Sequence, residues 1–299
     1  MADQTATKKI NPLTQYFRQP KLFIRLPSDG RFYPEGSLDI SVNGEYPVYA
    51  MTAKDELLFK TPDALLTGQS TVEVIKSCVP AILNPWLMPT LDIDVILMAI
   101  RIATYGEMME ISSNCPSCQA ETNFEIDVTK WLAMISRIEY ESEIRFDPLT
   151  IHIRPYTYQE ITKTNLKQFE QQRVFAVIND ENMKDEEKLR LFNESFIKIS
   201  ELTVDIVAGC IDHVDTPDGT VDDKEMIKEF INNASKELFD TISTHVSEMK
   251  SKNELKPVDA KCTECSHEYV IPITLDQADF FGQRSRGSRT LRSTKKQNA

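Results

Sequence analysis

Two short motifs hold the residues best suited to chemistry: Asn114-Cys115-Pro116-Ser117-Cys118 and Lys261-Cys262-Thr263-Glu264-Cys265. Each is a C-x-x-C, and together they take four of the six cysteines. Tetrahedral zinc is satisfied by four soft ligands, which two such knuckles supply as thiolates. The two-residue spacing lets both sulfurs of a knuckle face one ion while backbone amides point at the sulfurs. The reading is a structural Zn2+ site formed by Cys115, Cys118, Cys262 and Cys265 within one chain. Three other readings stay open. As redox motifs, the pairs lack the strand-then-helix context of a thioredoxin-like site. As disulfides, they lack a secretory signal at the start of the chain. As half-sites, they would each be completed by another subunit.

The flanks of the two knuckles repeat. Glu121 and Glu268 each stand three residues past the second cysteine. Apolar residues then recur with period two, Phe124, Ile126 and Val128 in one copy and Ile271, Ile273 and Leu275 in the other. That is the pattern of a strand with one buried face. Met108 to Ile111 supplies a partner strand before the first knuckle. The pattern is a zinc ribbon split in two. A ribbon has roughly 15–20 residues between knuckles, whereas 143 residues, 119 to 261, intervene here. The intervening chain must leave the ribbon, fold and return.

The elements that position the knuckles follow from local pattern. The expected fold class is α+β: a mixed body with a split zinc ribbon and a helical insertion between its knuckles. Residues 1–19 read as a disordered N-terminus, 20–156 as the body with the first knuckle, and 157–252 as the helical insertion. Residues 253–282 complete the ribbon and 283–299 form a basic disordered tail. Within the body, Pro20 to Tyr49 alternates as β-structure, with turns at Ser28-Asp29-Gly30 and Asn43-Gly44. Thr52 is placed to cap a helix. Thr61-Pro62-Asp63 opens a short helix, and Ser70 to Cys78 forms another. Thr90 is placed to cap a strongly apolar helix over 91–105, stopped by Gly106. Residues 144–155 suggest a hairpin about Asp147-Pro148. In the insertion, Leu189, Phe192, Phe196, Ile199 and Leu202 recur at helical spacing. So do Met226, Phe230, Ala234, Leu238, Ile242, Val246 and Met249. Both read as core-facing stripes.

Composition narrows the function. The chain of 299 residues has a net charge of −12. Six basic residues and no acid in 283–299 leave the remainder at −18. Such a body disfavours general nucleic-acid binding, which needs a basic face; only the tail has the charge for it. The most apolar run, Val95 to Ile100, is far short of the roughly 20 residues of a membrane span. Cys78 and Cys210 lie in apolar surroundings and read as buried thiols.

Enzymatic motifs are lacking. No glycine precedes Lys-Ser or Lys-Thr as in a phosphate loop. Residues 212–225 fit a calcium loop poorly, because Val214 falls where the first carboxylate belongs; they read as a solvated acidic loop with Asp222 capping the next helix. The histidines (His152, His213, His245, His267) are scattered, and His267, near Cys265, reads as a bystander. A four-thiolate zinc has no open position for water and does no hydrolysis. The expectation is a non-enzymatic protein.

Several strings resemble one family: Pro20 to Pro34 (PKLFIRLPSDGRFYP), Met51 to Glu56, Lys60 to Leu65, Ser77 to Pro80, Asn84-Pro85-Trp86 and Arg101 to Gly106. With the knuckles, they resemble the baseplate hub and hub-assembly proteins of T4-like contractile-tailed bacteriophages, over roughly residues 20–282. The resemblance implies a late viral protein made in the host bacterial cytoplasm. It would be a structural subunit or assembly factor of the tail baseplate hub, with other hub or tail proteins as partners and no catalytic residues. Zinc would act as a staple fixing where the insertion leaves the body. The loop Pro27 to Pro34 is a candidate contact segment, with packing of Phe32 and Tyr33 on the body as the competing reading. The alternative function is a zinc-ribbon nucleic-acid-binding regulator using the basic tail.

Overall fold

The computed structural model describes residues 12–60, 67–135, 140–178, 184–253 and 257–271. The expected helix at Thr61-Pro62-Asp63, the disorder of residues 1–11, the strand residues Ile273 and Leu275, and the basic tail 283–299 lie outside the described residues.

The first core forms around α3, Thr90–Tyr105. Apolar residues on every side of this helix (Val95, Ile96, Leu97, Met98, Ile100) leave it one stable placement, enclosed by other elements. It begins one residue earlier than expected: Pro89 is the N-cap, and Thr90 lies in the first turn. The Thr90 amide is taken by Tyr156 O at 2.7 Å, a partner a capping side chain does not provide. Around α3 pack the antiparallel pair β1 (Leu22–Ile24) and β2 (Tyr46–Val48), with α1 (Ala53–Leu58) and α2 (Gln69–Cys78). Thr52 caps α1 in a full capping box with Asp55.

Asp55 does more than cap. Its Oδ2 also accepts from Ser77 Oγ at 2.9 Å and faces Arg18 Nη1 at 3.5 Å. Arg18 donates in turn to the carbonyls of Ala50 and Ser77. This corrects the disordered reading of the N-terminus for residues 12–19. Pro12–Tyr16 is a 3-10 turn, and Arg18 ties the segment to the body.

The second core lies on a four-stranded antiparallel sheet ordered β5 (Glu143–Phe146), β6 (Leu149–Ile153), β7 (Ile211–Thr216), β8 (Gly219–Val221). The long helices α5 (Tyr158–Ile178) and α6 (Asp185–Gly209) separate β6 from β7, and α7 (Lys224–Asn232) and α8 (Lys236–Asn253) follow β8. The expected all-helical insertion is thus mixed. Much of 212–225, read as an acidic loop, instead belongs to a hairpin over 211–221 that pairs with β6. Ile211 and Val214 face Ile151 and Ile153 in the core, while the intervening polar residues face out. Ile211 and Val214 stand three positions apart, so no period-two alternation marks this strand in the sequence; the register shift at Asp212 brings both to the core side. The cap of α7 is Asp223, not Asp222, accepting from the amides of Glu225 and Met226. β5 and β6, expected in the body, pack with this second core.

The two helical stripes differ in fate. Leu238, Ile242 and Met249 are buried as expected, although the helix breaks between α7 and α8, and Met226 is exposed. On α6, Leu202 is buried, but Leu189, Phe192, Phe196 and Ile199 face solvent. The reason is length. A 25-residue helix runs about 37 Å, whereas the six residues of β7 span about 20 Å. The N-terminal half of α6 therefore outruns the sheet, and its apolar stripe belongs to neither buried core among the described residues.

Candidate metal centre

Each knuckle caps an antiparallel hairpin: β3 (Met108–Asn114) with β4 (Glu121–Asp127), and β9 (Val258–Lys261) with β10 (Glu268–Ile271). The last pairs before the knuckles correspond, Asn114 with Glu121 and Lys261 with Glu268. So do the turns. Cys115 N donates to Ala120 O and Cys262 N to His267 O, both at 2.9 Å. Gln119 N donates back to Cys115 O and Ser266 N to Cys262 O. Gln119 (φ 60°) and Ser266 (φ 59°) hold the left-handed conformation at the same place in each turn. The repeat read from the flanking residues is therefore a repeat of structure. The two hairpins are separate two-stranded sheets, joined across Phe124 and Tyr269, whose rings meet edge to face at 6.4 Å.

The four sulfurs converge. Cys115 Sγ lies 3.7 Å from Cys265 Sγ, and Cys118 Sγ lies 3.6 Å from Cys262 Sγ. All four lie within 4.8 Å of one another. For a metal–sulfur bond of about 2.3 Å, the edge of a tetrahedron is about 3.8 Å. The distances between hairpins thus fit four thiolates around one ion and are far longer than a disulfide bond of about 2.05 Å. The first cysteine of each knuckle is buried and the second is exposed, so the cluster is seated on the hairpins and open at one side.

Electrostatics in the cluster is asymmetric. The backbone amides of Cys265 and Glu264 pull the Cys262 thiol down to about 6, favouring the thiolate a metal needs. At Cys118 the Ala120 amide also favours the thiolate. The neighbouring sulfurs of Cys265, Cys262 and Cys115, with burial, outweigh it and push the thiol up to about 12. The proton held at Cys118 is one that a bound cation would displace.

The remaining candidates separate from this cluster. His267 lies outside the sulfur group and stacks near Tyr269. Cys78 and Cys210 are buried, and burial pushes their thiols up, to about 12 and about 11. The loop 27–34 is anchored from within. Ser28, fully buried, donates through N and Oγ to Asp92 at 2.8 and 2.6 Å. Phe32 packs edge-on against Tyr140 at 5.3 Å, and Tyr33 packs on the first core. Packing on the body accounts for both aromatic residues. One group was missed in the sequence: His152 and His213, read as scattered, are cross-strand neighbours beside Asp215. Only the β6–β7 register brings them together, and the 57 residues between Ile153 and Ile211 conceal it.

The family model described as T4 bacteriophage base plate protein matches residues 23–282, a span that contains both hairpins and all the chain between them. The chain belongs to the T4 bacteriophage base plate protein family. No curated protein and no solved structure matches it. The base plate protein's four-sulfur cluster therefore joins a knuckle in the first half of the family span to one near its C-terminal end, and the loop so closed contains the second core. No helix among the described residues is long and apolar enough to cross a membrane.

Proposed function

We propose that this base plate protein serves in assembly of the central hub of the phage tail, as a subunit or an assembly factor, and that Cys115, Cys118, Cys262 and Cys265 hold a structural zinc ion. The observation that carries this reading is the family match across both cysteine hairpins, whose sulfurs meet at tetrahedral spacing.

Bound zinc supplies a crosslink between the two hairpins. The chain's own residues do the rest. β4 leads into α4 (Val128–Ile135), whose Trp131 is buried in the first core, so the first hairpin is rigidly attached to the body. β9 follows α8, whose Ile242 and Met249 belong to the second core. Joining the sulfurs thus fixes the end of the second core against the first. Closing so long a loop removes entropy from the unfolded chain, and the metal's binding energy becomes folding energy. Four thiolates leave no position for water, so the centre is structural, and the role proposed for the protein is that of a scaffold.

A scaffold needs surfaces for partners. The apolar stripe of α6 provides one: Leu189 and Phe196 are 62% and 61% exposed, and Phe192 stacks beside Phe196 at 6.5 Å. Exposed patches of this kind mark protein–protein contact sites. The occupant fitting the proposed role is another hub or tail protein.

The test is co-expression of the full chain with the other tail proteins of its phage, followed by affinity capture and zinc measurement. Capture of hub proteins by the zinc-loaded wild type, lost in Cys115→Ser, supports the reading. Capture of no tail protein by a zinc-loaded, folded chain removes the hub role. Mass spectrometry of finished particles separates subunit from transient factor.

A further inference from the structure

We propose that His152, His213 and Asp215 form a second metal site, for a divalent transition ion of the zinc, nickel or copper class, on the outer face of the four-stranded sheet. His152 and His213 are direct partners in the β6–β7 register. Their rings stack with centroids 4.1 Å apart and planes 15° from parallel. Asp215 lies two residues beyond His213 and so on the same face, with Oδ2 3.0 Å from His152 Nε2. One ligand atom from each of the three falls within 4.8 Å of the other two.

The surroundings prepare these groups as ligands. Metal-binding histidines characteristically donate their second nitrogen to a carboxylate, which fixes the tautomer. Here Asp212 Oδ2 lies 2.9 Å from His213 Nδ1, which makes that nitrogen the donor and leaves Nε2 its lone pair. Asp212 reaches this position because the ladder shifts register between His152 and Ile153: His213 and Ile211 have partners on β6, and Asp212 between them is the bulged residue. Asp215 is oriented in the same manner. Thr220 Oγ1 donates to its Oδ1 at 2.5 Å, leaving Oδ2 for the cluster.

Charge and hardness select the ion. Two imidazoles beside the carboxylates of Asp212 and Asp215 combine nitrogen donors with negative charge, a set suited to a divalent cation. Imidazole nitrogen favours zinc, copper and nickel, whereas magnesium and calcium require mainly oxygen. Three protein ligands leave at least one coordination position open. Because all three residues are half-buried, that position is reachable by water or by a side chain of a partner.

The experiment titrates Zn2+ calorimetrically into full-length protein that already holds its cysteine-bound zinc, with imidazole nitrogens followed by NMR. The expected result is one further equivalent bound, with the His152 and His213 resonances shifting together. In His213→Gln and in Asp215→Asn, binding of that equivalent weakens by about tenfold or more, while the first zinc stays in place. His245→Gln, on α8 and away from the cluster, leaves it unchanged. Absence of a second equivalent overturns the proposal, as does one that persists in His213→Gln. If the variants fail to fold, the wild-type spectrum decides: imidazole resonances unmoved by Zn2+ overturn it. None of these outcomes depends on the hub role, and the imidazole resonances report this site separately from the cysteine cluster.

Discussion

Cys115 Sγ and Cys265 Sγ lie 3.7 Å apart although 150 positions separate them in sequence. The contact is one edge of the sulfur cluster, and it joins two hairpins that share no strand. A pair placed at the closing point of so long a loop acts on the whole arrangement of cores, which makes it the natural target for a first experiment.

Cys115→Ser and Cys262→Ser each remove a buried sulfur from the cluster. Losing an outer-shell partner costs a metal site about 10–100-fold in affinity, and losing a ligand is expected to cost more. Atomic absorption on untagged protein purified without chelator should give one zinc per chain for the wild type and little for either variant. Stoichiometric zinc in both variants would falsify the four-thiolate site.

Zinc affinity should rise with pH. Cys262 is held near 6 by the amides of Cys265 and Glu264, whereas Cys118, despite the Ala120 amide, is pushed up to about 12 by the other sulfurs. Around neutral pH, Cys118 retains a proton that metal must displace, so affinity should fall about tenfold or more per pH unit on acidification. Competition titrations with a chromophoric chelator between pH 6 and 8 measure the slope. A flat profile would rule out proton release from the thiols.

Asp92 gives a second pH effect, in stability. Burial raises its carboxyl from 3.8 to about 6, against the opposing hydrogen bonds from Ser28. With a raised folded value, the contribution to stability is fully present below the unfolded value and is lost as pH rises through about 6. Asp92→Asn keeps an acceptor for Ser28 and removes the charge. The variant's stability relative to wild type should therefore improve from pH 4 to pH 8 by about 2 kcal/mol. Urea unfolding at several pH values tests this, and an unchanged difference between the proteins counts against it.

The exposed face of α6 and the second core should respond oppositely to substitution. Leu189→Ser with Phe196→Ser should change stability by no more than about 0.5 kcal/mol, as surface changes do, and should reduce capture of tail proteins. Ile242→Ala, at a fully buried position, should cost about 2–5 kcal/mol. Thermal melts and affinity capture on the same samples separate the two. If the double variant melts like the core variant, the stripe packs inside the protein after all.

What the sequence determined on its own was local. The x-x spacing fixes two sulfurs on one turn, and period-two residues beside them fix a hairpin, because both depend only on neighbours a few positions apart. Thr52 with Asp55 specified a capping box for the same reason. The strongly apolar run of 91–105 could form little but an enclosed helix. Tertiary structure decided the rest. That Cys115 meets Cys265 depends on two cores folding so that both hairpins return to one place. That His152 faces His213 depends on one strand register out of many. That Phe196 looks outward, although its spacing matches that of a buried residue, depends on where the sheet beneath α6 ends. Helical periodicity says that a face is apolar. Which surface covers it is set by elements distant in the chain, whose positions no local pattern encodes.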